Sequence, residues 1–170
     1  DIDILLVTHA HIDHTGRIPL MVKRGFTGRI LTTRLTADLM HIMLLDSAHI
    51  QESDAEYQNR KNQRAGRPDV EPLYTVADAM RVPEFLQTCE YNQTVDVCEG
   101  VKATFIDAGH LLGSASILME LTEGGEKRNI VFSGDIGNVD QPIIRDPQFF
   151  GGADYVVMES TYGNRNHTEV

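Results

Sequence analysis

The chain has 170 residues, 41% of them apolar and 24% charged, which is the composition of a globular domain with room for one core. No stretch reaches the roughly 18 apolar residues of a membrane helix, so no membrane partner is expected. The net charge of −10 excludes a nucleic-acid module that grips by bulk positive charge.

Asp1 leads straight into "DILLVTH", a continuous apolar run read as a strand buried on both faces. "TGRIPLMVKRG" predicts a short helix ended by Gly25, and "GRILTT" a second strand. From Thr33 to Ala65 the spacing of Leu35, Leu39, Ile42, Leu45, Ala48 and Ile50 is helical, with one break expected. His41, His49, Glu52 and Glu56 read as ordinary residues of that helix. Arg60, Lys61, Arg64 and Arg67 read as its solvated end. In "TVADAMRVPEFLQTCE", Thr75 and Asp78 form a capping box that opens one or two helices, parted by Pro83. From Thr94 the texture changes to strands: "TVDVCEG", "VKATFIDAG", "SASILMEL", "RNIVFSG" and "ADYVVMES", with a hairpin turn in "TEGGEKR". Early alternation followed by consecutive strands predicts a mixed α/β layered sandwich. Cys89 and Cys98 lack a CxxC spacing and read as free thiols in a reducing, cytoplasmic setting. The strand opening at Asp1, with no initiator methionine, and the polar close "YGNRNHTEV" predict a piece of a longer protein.

Directly behind the first strand, "THAHIDH" places three histidines and an aspartate in six consecutive positions. Imidazole and carboxylate are the donors that zinc and similar divalent ions prefer. His9 and His11, two apart in extended chain, point to the same side. A turn behind them can aim Asp13 and His14 at a second ion. "FIDAGH" and "IVFSGD" repeat the setting, each an apolar strand running into a glycine turn with one ligand-type residue. The predicted ligands are therefore His9, His11 and His110 for one metal and Asp13 and His14 for another, bridged by Asp135. Thr8 and Asp107 are candidates to orient the imidazoles. Ser114 and Ser116 lack a GxSxG setting and read as turn and strand residues.

These residues resemble the metallo-β-lactamase superfamily, whose HxHxDH signature stands here as His9, His11, Asp13 and His14, followed by GH and GD elements at His110 and Asp135. The resemblance implies a four-layer αββα sandwich with a dinuclear zinc site. "THAHIDHTGRIP", "MLLDSAHIQE", "GRPDVEPLYT", "DAGHLLGSAS", "FSGDIG" and "MESTYGNRNH" are similar to its β-CASP branch of RNA- and DNA-processing nucleases. In that branch a carboxylate after the "VVM" strand assists catalysis by orienting a histidine general acid; it maps to Glu159. The resemblance implies a partial domain over residues 1–161 and the start of a β-CASP insertion at 162–170. It also implies further strands upstream and two further histidines downstream, for which His167 lies too early.

The function implied is hydrolysis of phosphodiesters in RNA processing or decay by a zinc-activated hydroxide, with Asp13 orienting the nucleophile. The partners expected are RNA or single-stranded DNA, with a homodimer allowed. Two other classes stay open: a small-molecule hydrolase of the glyoxalase II or lactonase kind, and a catalytically silent scaffold subunit. The long 33–74 segment and "MESTYG" favour the nuclease over a compact thioesterase, and the intact ligand set disfavours the scaffold.

Overall fold

The computed structural model describes residues 2–164, so His167 and most of the expected insertion at 162–170 lie outside the described residues. Two compact units divide the chain, Asp1–Glu90 and Tyr91–Val170. The mixed α/β expectation holds in the order of elements.

The first unit has a three-stranded parallel sheet of β1 (Ile4–Leu6), β2 (Arg29–Thr33) and β3 (Leu86–Cys89), in that order. The expected doubly buried first strand is instead a three-residue edge strand, half-buried along its length. Its backbone pairs on one side only, with β2. Behind it come α1 (Ile12–Thr15) and α2 (Ile18–Lys23). Pro19 lies in the first turn of α2, where its missing N–H costs nothing. Gly25 ends α2, and Phe26 N returns to Met21 O at 3.1 Å.

The helix α3 (Arg34–Arg64) corrects two expectations. It runs 31 residues without the predicted break, because nothing inside it, neither Gly nor Pro, could make one. Its buried stripe is Thr36, Ala37, Met40, Leu44, Ala48 and Ala55, whereas Leu35, Ile42 and Ile50 are exposed. Only Ala48 belongs to both the expected and the observed face. Thr33 fixes the phase by capping the helix through its hydroxyl, which accepts from Thr36 N. At the far end Arg67 N reaches Asn62 O at 2.9 Å, and Asn59 grips Val70 with both side-chain atoms, laying the following loop along the helix. Lys61 lies over the Tyr57 ring at 4.3 Å and Arg60 approaches Glu56 at 3.9 Å, so the basic run is a solvated helix end as read. Glu52, also on α3, accepts from Val76 N at 3.0 Å.

The capping box at Thr75 and Asp78 is present and opens α4 (Val76–Met80). A short 3-10 helix over Val82–Phe85 follows, with Pro83 in its first turn; Arg81, not Pro83, parts the two helices. The sequence reading missed β3, which pairs in parallel with β2 from Ile30↔Leu86 to Thr33↔Cys89.

The second unit is a five-stranded sheet of β4 (Thr94–Cys98), β5 (Val101–Asp107), β6 (Ala115–Glu123), β7 (Glu126–Phe132) and β8 (Tyr155–Val157), in that order. All pairings are antiparallel except β7 with β8. The expected hairpin turns at Gly124-Gly125, with Glu123 opposite Glu126. Ala103, Phe105, Ala115 and Ile117 anchor the core of this sheet. Both cysteines are free, Cys89 buried and Cys98 exposed. Among the described residues no helix is long and apolar enough to cross a membrane.

Asp78 holds a proton less readily than its ordinary value of 3.8 implies. Burial opposes this, but the Thr75 amide and hydroxyl bonds, with Lys23 and Arg81 nearby, outweigh it. A folded-state value below the unfolded one stabilises the protein above the unfolded value, and the contribution fades as pH falls through the folded value. Thr75→Ala should cost about 1 kcal/mol in urea unfolding at pH 7. The deficit should shrink in strong acid, where the wild type also loses the Asp78 contribution. An equal deficit at both pH values would remove Asp78 from the cap.

Candidate metal centre

In the first unit the histidines leave the carboxyl end of β1, the end of a parallel sheet where ligand sites collect. Val7 is the last anchored residue: its amide donates to Leu31 O at 2.9 Å, and its carbonyl accepts from the Thr32 hydroxyl at 2.9 Å. The chain then turns out of the sheet through His9 and His11 into α1. The fastener is Thr15, fully buried, whose hydroxyl donates to His11 O at 2.9 Å and is 3.1 Å from Ala10 O. Sequence reasoning missed Thr15, and its signal is a hydroxyl residue immediately behind the histidine cluster.

His9 is fully buried. Its ring lies 4.9 Å from that of His11 and 4.1 Å from that of His14, centroid to centroid. Thr8 Oγ1 and His9 Nδ1 share a hydrogen bond of 3.1 Å, the contact expected of a residue that orients the ring. Asp13, in the first turn of α1, is largely exposed, and its Oδ2 lies 3.6 Å from His14 Nε2.

In the second unit the loops after β5 and β7 carry the other two residues. The loop after β5 folds around the Ser114 hydroxyl, which accepts from His110 N at 3.0 Å and Leu111 N at 3.2 Å. Ser114 is thus more than the turn residue read from sequence. Tyr91 donates its phenol proton to Ser114 O at 2.7 Å. Burial first, then the nearby Asp107, pushes that phenol well above its ordinary range, so it stays a donor. Asp107 spends Oδ1 on Gly109 N at 3.0 Å, which makes it a fastener of this loop and not the expected partner of an imidazole.

The loop after β7 crosses directly over this one. Gly137 N donates to Ala108 O at 2.9 Å, and a Cβ on Gly137 would overlap the Gly109 carbonyl. Gly109 itself has φ +63°, and a Cβ there would meet Pro147. The crossing brings His110 Nε2 to 3.5 Å from Asp135 Oδ2. That is long for a direct hydrogen bond. It matches the roughly 3.3–3.5 Å between two donors that share one tetrahedral ion at about 2.0–2.2 Å each. Beside the pair is a cavity of about 700 Å³ whose lining includes His110, Asp135, Gln141, Met158, Glu159 and Tyr162. Glu159 Oε1 accepts from Ile136 N at 2.6 Å.

Each unit gathers metal-type donors of its own: the imidazoles of His9, His11 and His14 in the first, and His110 with Asp135 in the second. Imidazole and carboxylate donors fit a borderline divalent cation.

The glycine crossing yields a direct test. Gly137→Ala should cost about 1–3 kcal/mol of stability, because its Cβ has only backbone to displace. Gly151→Ala, where a Cβ meets nothing, should be tolerated in the same chemical-denaturation series. Equal stability of both variants would remove the crossing from the site.

Comparison with known proteins places this geometry. A family model described as the metallo-beta-lactamase superfamily matches residues 1–161. The chain is 33% identical over 167 residues to ribonuclease TTHA0252 of Thermus thermophilus, covering 98% of this chain and 33% of that protein. It is 30% identical over 171 residues to transcription termination factor FttA of Pyrococcus abyssi, covering 99% of this chain and 24% of that protein. Among solved structures, FEZ-1 metallo-β-lactamase from Legionella gormanii aligns over 83% of this chain and 45% of its own, with 20% identity and a TM-score of 0.48. The chain spans about a quarter to a third of the length of the two curated relatives named. With its histidine signature behind β1 and a match over residues 1–161, the chain belongs to the metallo-β-lactamase superfamily.

Proposed function

We propose that this chain carries the metal-binding part of a ribonuclease of the β-CASP branch, with residues 1–161 as a partial metallo-β-lactamase domain and 162–170 opening the β-CASP insertion. The observation that carries the reading is the joint presence of the HxHxDH loop and the His110–Asp135 pair. The names of the two relatives, a ribonuclease and a transcription termination factor, support RNA over a small-molecule substrate.

His9, His11 and His110 are proposed to hold one zinc ion, Asp13 and His14 a second, and Asp135 to bridge them. Bound divalent ions supply Lewis acidity and bring the pKa of water down towards neutrality. The chain supplies the rest. Thr8 engages Nδ1 of His9, so Nε2 is the nitrogen that would be offered to an ion. Thr15 and Ser114 hold the two ligand loops through their hydroxyls. Asp13, in the first turn of α1, would orient the attacking water. The cavity beside His110 and Asp135 is large enough for part of a nucleotide chain. The acidic balance of −10 suits capture of cations and leaves the grip on RNA to chain beyond these residues. Two free cysteines fit a reducing cytoplasm.

Elemental analysis of the purified protein should find divalent metal, and His9→Ala should lower its content; an unchanged content would remove the site. In the full-length polypeptide, Asp135→Asn should reduce cleavage of end-labelled single-stranded RNA by more than the roughly 10–100-fold that changes outside the ligand set cost. Circular dichroism should stay unchanged. Thioester hydrolysis that survives while RNA stays intact would move the reading to a small-molecule hydrolase.

A further inference from the structure

We infer that Glu159, beside the role the family resemblance implies for it, is a positioning residue that acts through the Ile136 amide on Asp135, and that what it contributes to this loop is the reach of one oxygen, which a neutral amide oxygen supplies equally. The inference rests on the proposal that Asp135 is a metal ligand.

The sheet brings the two partners together. β7 and β8 run parallel, with Phe132 opposite Val157, so the chain leaves both strands side by side in the same direction. Ser133 N donates to Val157 O at 2.9 Å, which carries the pairing one residue past β7. Two side chains then take over from the ladder. The Ser133 hydroxyl accepts from Glu159 N at 3.1 Å, and Glu159 Oε1 accepts from Ile136 N at 2.6 Å. The Ser116 hydroxyl, donating to Ser133 O at 2.7 Å, ties the start of this loop to β6.

Glu159 is therefore pinned by its own backbone at residue 133 and reaches across to residue 136. Asp135 lies inside that span. The Ile136 nitrogen is bonded to the Asp135 carbonyl carbon, so holding it fixes the peptide plane that sets the ψ of Asp135 and the direction of its side chain. The clamp is needed because Asp135 follows Gly134, at φ +58°, with Gly137 two residues beyond. A bond of 2.6 Å is short for an amide donor. The family resemblance gives this carboxylate a histidine general acid to orient; the geometry spends one of its two oxygens on the backbone.

Two conservative variants separate the properties. Glu159→Gln keeps an acceptor oxygen at full reach and removes the charge. Glu159→Asp keeps the charge and withdraws the oxygen by one methylene. Metal-stripped full-length protein is titrated with cobalt(II) against a competing chelator. Glu159→Gln should bind within about 3-fold of the parent, and Glu159→Asp should bind about 10–100-fold more weakly, as loss of an outer partner does. The reverse order, or equal loss in both, assigns the role to charge and overturns the inference, as does no loss in either. Hydrogen exchange of the 133–138 segment in the metal-free protein is the second readout: protection should persist in Glu159→Gln and fall in Glu159→Asp, while β7 stays protected. If the parent binds no cobalt, the metal proposal fails, and the exchange result alone decides whether Glu159 holds this loop.

Discussion

The site depends on two backbones passing each other with no side chain between them. β5 and β7 are separated by β6, so their ends lie roughly 9–10 Å apart at normal strand spacing. His110 follows the first and Asp135 the second, yet their ligand atoms stand 3.5 Å apart. Side-chain length alone does not close that gap. The loops close it by folding over the end of β6, and Gly109 and Gly137 are the points of crossing. Gln148 N, donating to Asp107 O at 2.8 Å, and Gly137 N on Ala108 O replace the ladder that the two loops have left.

The same economy governs the loops themselves. A chain that leaves a sheet strands its amides and carbonyls, and each needs a partner or water. Here buried hydroxyls provide many of them: Thr15 under the histidine loop, Ser114 under the GH loop, Ser116 and Ser133 under the GD loop. A hydroxyl both donates and accepts within one small volume. It therefore fastens a turn without the bulk that would push the ligands apart.

How much of this was legible in the sequence follows from the range of each interaction. The candidate donors were readable because their chemistry is local: histidines and carboxylates crowd behind apolar strands, and few other settings tolerate that. Thr75 with Asp78, the turn after α2 and the Gly-Gly hairpin were equally local. The phase of α3 was not. Both faces of that helix carry large apolar residues, and the choice of Met40 and Leu44 over Leu35 and Ile42 is made by the capping residue and by what packs against the helix. β3 escaped because "LQTC" has no alternation and becomes a strand only by pairing with β2. Asp107 misled for a similar reason: its nearness in sequence to His110 suggested an imidazole partner, but the tight turn at Gly109 offered its own amide first.

The donors also differ in how much order they bring to a metal. His9 is buried and its ring is set by Thr8, so little rotamer freedom is left to lose on coordination. Asp135 sits between glycines on a loop without regular structure, and its order comes from contacts on either side: Glu159 at Ile136 and the crossing at Gly137. An outer hydrogen bond of this kind holds a loop residue while leaving its placement more adjustable than a position in a strand would.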